Sequence, residues 1–325
     1  MKVEQIKKIA IIGAGIMGHG IGLTYALGGY QVVLNDIDDE ILKTAMSHIK
    51  NNLEIFVENG LISQATIDET LSRITTTTNL KKAVEDADFV TEAVTEDVRV
   101  KKEVFNKLDI YSPDHAILAS NTSSLVLKNF TVDTKRKDKI LITHWFNPPH
   151  IVPVVEVVRG EETSTEAFET IYALLKKVRK IPVRVNKEIP GFLINRIQAA
   201  MMREIWSLWE QEIATPEDID LAVKGSFGFR LAAIGPLETC DLGGLDLWYS
   251  IGERLFKVIN NSHAPPKALK EKIERGEFGI KSGKGFFDYG IRFSEAGLDD
   301  AIKNRDRKFI SLLKLLYPEI GLARP

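Results

Sequence analysis

The chain has 325 residues, 44% of them hydrophobic and 27% charged, with a formal net charge of −2. That is length for two ordinary domains and apolar material for a packed core, while the near-neutral balance argues against a dedicated nucleic-acid or membrane-surface protein. No apolar run approaches the ~20 residues of a membrane span, and the lone cysteine, Cys240, can form no intrachain disulfide and reads as a packing residue of a protein from a reducing compartment, most simply the cytoplasm.

Lys7-Lys8 and the run that follows outline a secretion signal, but glycines break the run and no small-residue cleavage pattern follows it. A strand over residues 9–12, a glycine turn and a helix to about Leu27, stopped by Gly28-Gly29, fit better. Residues 31–35 read as the next strand and about 38–58 as a long helix. Thr66-Ile67-Asp68-Glu69 has the form of a capping box opening another helix. Residues 89–94, 116–120, 139–143, 154–158 and 183–185 are strand candidates, several of them separated by helical segments. That rhythm predicts an α/β fold with a mostly parallel, doubly wound sheet.

Past Pro190-Gly191 helices dominate, over about 192–210, 216–223, 245–258 and 266–275. The expected division is a nucleotide-binding domain over 1–188, a helical domain over 189–290 and a helical extension over 291–325. In the extension, about 294–316, Ile302, Phe309, Leu312, Leu313 and Leu316 share one apolar face, for docking on the same chain or on a second subunit.

Gly13-Ala14-Gly15-Ile16-Met17-Gly18 follows a strand and opens a helix. Gly13 permits the tight turn, Gly15 lets the backbone approach a pyrophosphate, and Gly18 lets helix and strand pack closely. The helix start offers free N–H groups and partial positive charge. Asp36 closes the next strand at about the expected ~20-residue spacing, where a carboxylate accepts ribose hydroxyls and repels a 2′-phosphate. The predicted cofactor is therefore NAD. The bland alternative is a chance glycine turn with Asp36 as a helix cap. His19, just past the turn, reads as structural or near the phosphates.

Two further strand ends carry polar clusters, Ser120-Asn121-Thr122-Ser123-Ser124 and His144-Trp145-Phe146-Asn147-Pro148-Pro149-His150, where open sheets bind ligands. Glu156 stands inside the apolar run Val154-Val155-Glu156-Val157-Val158, where a charge is costly unless paired. A histidine is the obvious partner, and a carboxylate that orients an imidazole makes it a general base. Taken singly, His144 fits a satisfied core histidine, Ser123 a helix cap, Glu156 a solvated edge and Asn195 a surface helix position. No Cys/His cluster has metal-ligand spacing.

Taken together, in order along the chain, these segments resemble the 3-hydroxyacyl-CoA dehydrogenase family: Gly13–Gly18, Ala87–Glu96, Ser120–Ser124, His144–Pro148, Val154–Val158, Pro190–Arg196 and Gly279–Tyr289. The resemblance implies a Rossmann-type domain followed by a mainly helical C-terminal domain that dimerises. It implies His144 as catalytic base, Glu156 as its carboxylate partner, and Ser123 and Asn195 as ligands of the reacting oxygen. It also implies Asn147 as a neighbour that shapes the site, and Glu92 and Asn121 as cofactor contacts beside Gly13, Gly15, Ile16, Met17, Gly18 and Asp36.

The pattern departs from the family in two places. The hairpin that in many members turns lysines to the CoA phosphates reads Val57-Glu58-Asn59-Gly60-Leu61-Ile62-Ser63 here, without a lysine, with Lys50 and Arg73 as possible substitutes. Arg230, before Gly235-Pro236, resembles the branch of lambda-crystallin and carnitine dehydrogenase, which act on free hydroxy acids, and could fork onto a substrate carboxylate. An ordinary surface salt bridge is its other reading. Three functions follow: a dehydrogenase of a 3-hydroxyacyl-CoA, a dehydrogenase of a free 3-hydroxy acid, or a non-enzymatic NAD-binding protein that kept the fold. The expected partners are a small-molecule substrate and a second copy of the chain, with neither nucleic acid nor membrane.

Overall fold

A computed structural model of the chain describes residues 1–290 and 295–318. They fall into two units, Met1–Asn195 with the chain from Asp306 onward, and Arg196–Arg305. In the first unit the elements run β1 (Lys8–Ile12), α1 (Gly18–Leu27), β2 (Gln31–Asn35), α2 (Asp39–Glu58), α3 (Ala65–Ser72), β3 (Ile74–Thr77), α4 (Leu80–Val84), β4 (Phe89–Glu92), α5 (Val98–Tyr111), β5 (Ile117–Ser120), β6 (Ile140–Trp145), β7 (Val154–Val158), α6 (Thr165–Lys177) and β8 (Ile181–Val185). The strand order is β3-β2-β1-β4-β5-β6-β7-β8. Every neighbouring pair is parallel except β6 with β7.

Both faces of this sheet are covered, which is why its strands are apolar runs rather than alternating ones. Ile9 and Ile11 point into one core with Ile21, Leu42, Phe56 and Ile171, from α1, α2 and α6. Ala10 and Ile12 point into the other with Ala83, Phe105 and Leu108, from α4 and α5. Asp38, Asp97 and Ser164 cap α2, α5 and α6 by accepting backbone N–H bonds.

The expected doubly wound sheet is present, with local differences. The edge strand β3 was not expected: its Ile-Thr-Thr-Thr buries only Ile74, so it carries no apolar run to read. Thr66 does not cap α3, which starts one residue earlier with Gln64 as N-cap. His144 lies within β6 rather than beyond its end.

The second unit is helical. After α7 (Ile194–Glu210), which begins in the first unit, come α8 (Pro216–Gly225), α9 (Phe227–Leu231), α10 (Pro236–Gly243), α11 (Leu245–Leu255) and α12 (Lys267–Glu274). Thr215 caps α8, and Pro236 sits in the first turn of α10, where its missing N–H costs nothing. α13 (Glu295–Leu316) carries the chain back to the first unit from Asp306 on. There Ile310 and Leu313 are buried, Ile310 in the same core as Leu53, Phe56 and Leu61. Of the apolar face expected over 294–316, Ile302, Phe309 and Leu312 are partly exposed, and Ser294 lies outside the described residues.

Candidate active site

The glycine turn leaves β1 at Gly13, whose φ is 95° and whose Cβ, if present, would stand 2.6 Å from the carbonyl oxygen of Ala93. A Cβ at Gly18 would stand 1.7 Å from the carbonyl oxygen of Gly13. Protein packing alone therefore demands glycine at both ends of the turn. Gly15 differs, since a Cβ there would meet nothing within 4 Å. Ile16 beside it is 73% exposed, and Met17 is half-buried. Asp36, one residue past β2, accepts the N–H of Ala14 on Oδ2 and that of Ile37 on Oδ1, each at 2.7 Å. An open helix start with a carboxylate fixed beside it fits the phosphates and a ribose of a dinucleotide. His19 bonds the carbonyl of Gly15 through Nδ1 at 2.8 Å and lines a cleft of about 340 Å³ with His48, Ile41 and Thr44. Burial holds its imidazole below the usual histidine range.

At the same carboxyl edge, His144 and Glu156 face each other across the antiparallel ladder of β6 and β7. Nδ1 of His144 lies 2.6 Å from Oε2 of Glu156, and the carboxylate is wholly buried. Oε1 of Glu156 accepts the N–H groups of Leu193 and Ile194, each at 2.9 Å, where α7 opens and helix donors lack partners of their own. The carboxylate is thus fixed from two sides. Phe146 and Phe192 hold the imidazole, with ring centroids 4.5 and 5.5 Å from it. Phe192, at φ 48°, is fully buried. With Nδ1–H donated to Glu156, the lone pair of His144 resides on Nε2, which has no hydrogen-bond partner among the described residues.

Asn195, next in α7, donates from Nδ2 to the carbonyl of Ser123 at 2.9 Å. Ser123 is exposed on the loop after β5. Glu96 fastens that loop: its Oε1 accepts from Thr122 Oγ1 at 2.6 Å and from the N–H groups of Ser123 and Ser124 at 2.9 and 3.1 Å. Its Oε2 lies 3.3 Å from the ammonium of Lys101. Burial raises the pKa of Glu96, but the bond from Thr122 and the charge of Lys101 outweigh it, so the net shift is down.

Lys101 also binds Glu92 at 2.8 Å, and both side chains are buried. Glu92 accepts further bonds from Ser120 Oγ at 2.6 Å and the N–H of Val94 at 2.8 Å. Burial raises its pKa against the pull of Lys101. Glu92, expected as a cofactor contact, is in the structure the buried partner of Lys101. Its carboxylate lies wholly inside the protein and faces Lys101, while Glu96 is the partly exposed acid of this segment. Neither Glu96 nor Lys101 stood out in the sequence, although Lys101, Phe105 and Leu108 share the buried stripe of α5 at helical spacing.

Asn121 accepts the N–H of Trp145 on Oδ1 at 2.9 Å, tying the ends of β5 and β6 together. Asn147 is exposed on the loop between β6 and β7. His144, Glu156, Asn195 and Ser123 thus form one bonded chain through the start of α7. Arg230 belongs to the helical unit, in α9, where it is exposed and joins no ion pair among the described residues. No group of three or more metal-ligating side chains occurs among the described residues.

Residues 8–189 match the family described as 3-hydroxyacyl-CoA dehydrogenase, NAD binding domain, and residues 191–289 match the 3-hydroxyacyl-CoA dehydrogenase C-terminal domain. The chain is 32% identical to the 5-formyl-3-hydroxy-2-methylpyridine 4-carboxylate 5-dehydrogenase of Mesorhizobium japonicum, over 96% of its own length and 99% of that protein's. It is 35% identical to the mitochondrial hydroxyacyl-coenzyme A dehydrogenase of Homo sapiens, over 87% of this chain and 91% of the other. Among solved structures, an NAD+-dependent dismutase described as a dehydrogenase of the same pyridine carboxylic acid matches with a TM-score of 0.88 at 32% identity, over 96% of this chain and 99% of its own.

Proposed function

The chain belongs to the 3-hydroxyacyl-CoA dehydrogenase family and is an NAD-dependent dehydrogenase acting on a CH–OH group; from that premise we propose that it interconverts a 3-hydroxyacyl substrate, such as 3-hydroxybutyryl-CoA, and its 3-keto form, with His144 as base. The observation that carries this reading is the pairing of His144 with Glu156, which commits Nδ1 and leaves Nε2 for the substrate. NAD, when bound at the glycine turn, supplies the hydride acceptor.

His144 takes the hydroxyl proton on Nε2, and Glu156 stabilises the resulting imidazolium through Nδ1–H. Ser123 and Asn195 hydrogen-bond the substrate oxygen as it becomes a carbonyl, with Asn147 beside them. Glu96 and Lys101 hold the Ser123 loop in place. The reaction belongs to fatty acid metabolism.

A second reading, a free hydroxy acid as substrate, has specific support. Arg73 is committed to Glu69 and the carbonyl of Ala26. The basic residues that do reach the lysine-free hairpin come from α13, Arg307 on Glu58 and Lys314 on the carbonyl of Asn59. Arg73, Arg307 and Lys314 are thus engaged within the protein, which leaves Lys50 of α2, exposed and in no ion pair among the described residues, for a CoA phosphate, while Arg230 could take a carboxylate instead.

Turnover decides between them. Preference for 3-hydroxybutyryl-CoA over free 3-hydroxybutyrate and over hydroxymethyl pyridine carboxylates, by about a hundredfold in kcat/KM, supports the thioester. The reverse preference overturns it in favour of the free acid. Undiminished activity in His144→Ala would remove the base assignment under either substrate.

The proposed assembly is a homodimer. Leu237, Phe256, Phe229 and Leu242 of the helical unit are each more than 70% exposed, apolar surface of the kind subunits cover. Light scattering that gives one chain's mass at working concentration would refute it.

A further inference from the structure

Lys180 is a buried group near the site whose chemistry the mechanism above leaves unused. It follows α6 by way of Val178, the C-cap, and Arg179, at φ 61°, and its own N–H bonds the carbonyl of Leu175 at 2.9 Å. From there its side chain turns inward and is buried. Nζ donates to the carbonyl of Pro149 at 2.6 Å and to that of Val152 at 2.9 Å, and lies 5.5 Å from the ring of Trp145. No carboxylate pairs with it among the described residues. A buried ammonium without a counter-charge is costly, so burial pulls the amine down to about 7. The neutral amine still has two N–H groups, one for each carbonyl.

Both carbonyls belong to the loop that leaves β6 two residues after His144. Its base is sealed: Pro148, Pro149, His150 and Ile151 are buried, while Asn147 is exposed. The N–H groups of Ile151 and Val152 both bond the carbonyl of Pro148, at 3.0 and 2.9 Å, giving the loop a turn of its own. The loop also meets α1. A Cβ at Gly20 would come within 2.7 Å of Pro149 Cγ and 2.9 Å of His150 Nδ1. The loop therefore touches both the helix of the glycine turn and the amine of Lys180.

We propose that Lys180 is a positioning residue: through the carbonyls of Pro149 and Val152 it fixes the loop over residues 146–153, and with it the ring of Phe146 against His144 and the place of Asn147. The ladder of β6 and β7 holds His144 opposite Glu156 without help from Lys180. Its loss therefore frees the loop and leaves the base pair formed. This rests on the reading of His144 as the base.

The test uses the full chain as wild type, Lys180→Met and Lys180→Gln. Amide exchange over residues 146–153, NADH affinity and the reduction of acetoacetyl-CoA by NADH are measured on each. In Lys180→Met, exchange of the Ile151 and Val152 amides rises about tenfold or more and kcat falls about tenfold or more, while the NADH dissociation constant stays within about threefold. Lys180→Gln, whose amide restores two N–H donors, recovers most of both. Unchanged loop exchange in folded Lys180→Met, kcat within about twofold of wild type, or NADH affinity lost in step with kcat overturns the proposal. If Lys180→Met does not fold, Lys180→Gln decides alone: loop exchange and kcat both near wild type support the proposal, and a fall in kcat without a change in loop exchange overturns it. A wild type that leaves acetoacetyl-CoA untouched sinks the thioester reading instead, and loop exchange then decides on Lys180 by itself.

Discussion

His144 and Glu156 are twelve positions apart in the chain and directly opposite in the sheet, as register partners in its antiparallel pair. Reversing β7 brings a carboxylate to the ligand edge on the same ladder as the imidazole. Backbone hydrogen bonds therefore fix the approach of the two groups before any side-chain contact is made.

Glu156→Gln is the sharpest probe of that relationship. The amide fills the same space and can still accept from Leu193 and Ile194 through its oxygen, but it carries no charge to stabilise a protonated His144. Expected is a loss in kcat of about a hundredfold or more, with NADH affinity within about threefold of wild type. A fully active variant would show that the pair is only architectural.

The glycine turn predicts a split between its members. Gly18→Ala drives a Cβ into the backbone of Gly13 and should leave little folded protein. Gly15→Ala meets nothing in the protein, so its thermal midpoint should match wild type, while NADH binding weakens by about tenfold, or 1.4 kcal/mol. Equal melting losses in both variants would contradict the assignment of Gly15 to the ligand. Calorimetry with a fluorescence titration of NADH reads both quantities.

Lys101→Met tests the ion pair beneath the Ser123 loop. It strands Glu92 in the interior without its cation, a change that costs about 3–5 kcal/mol in urea unfolding. Adding Glu92→Gln removes the stranded charge and should restore part of that stability. A single variant within about 1 kcal/mol of wild type would mean that water or backbone already compensates the carboxylate.

The pH dependence of stability follows from Lys180. Its amine is held at about 7 in the fold against 10.5 for a free lysine. Between those values the unfolded chain carries a proton that the folded chain has given up, so unfolding takes up about one proton. This group's contribution is therefore fully present above 10.5, declines as pH falls, and is lost below about 7. Urea unfolding at pH 7 and at about pH 9 should show Lys180→Met gaining less from the rise than wild type does. Parallel curves for the two proteins would disprove the shift.

What the sequence disclosed was mostly local. Gly13, Gly18 and Asp36 sit within one strand–turn–helix–strand unit, where spacing alone implies geometry. The pairing of His144 with Glu156 was legible because a lone charge in Val154–Val158 demands a partner. Lysines hid their role. Lys101 and Lys102 are adjacent and alike in sequence, yet Lys101 is buried between two glutamates while Lys102 reaches Asp133 at a partly exposed surface. Only the helical phase of Lys101 with Phe105 and Leu108 marks the difference. Lys180 offers no such cue, since its partners are backbone carbonyls, which any residue supplies. For Glu92 the motif locates the residue near the cofactor edge without saying that its carboxylate is turned inward onto Lys101.

The return of α13 also bears on how the chain folds as it is made. Ile310 joins a core whose other members begin at Ile6. Synthesis runs at about 5–20 residues per second, so the nucleotide-binding unit waits many seconds for the buried side chains of α13. Until Ile310 arrives, the apolar surface around Leu53, Phe56 and Leu61 stays open on the nascent chain, a natural place for a chaperone to hold.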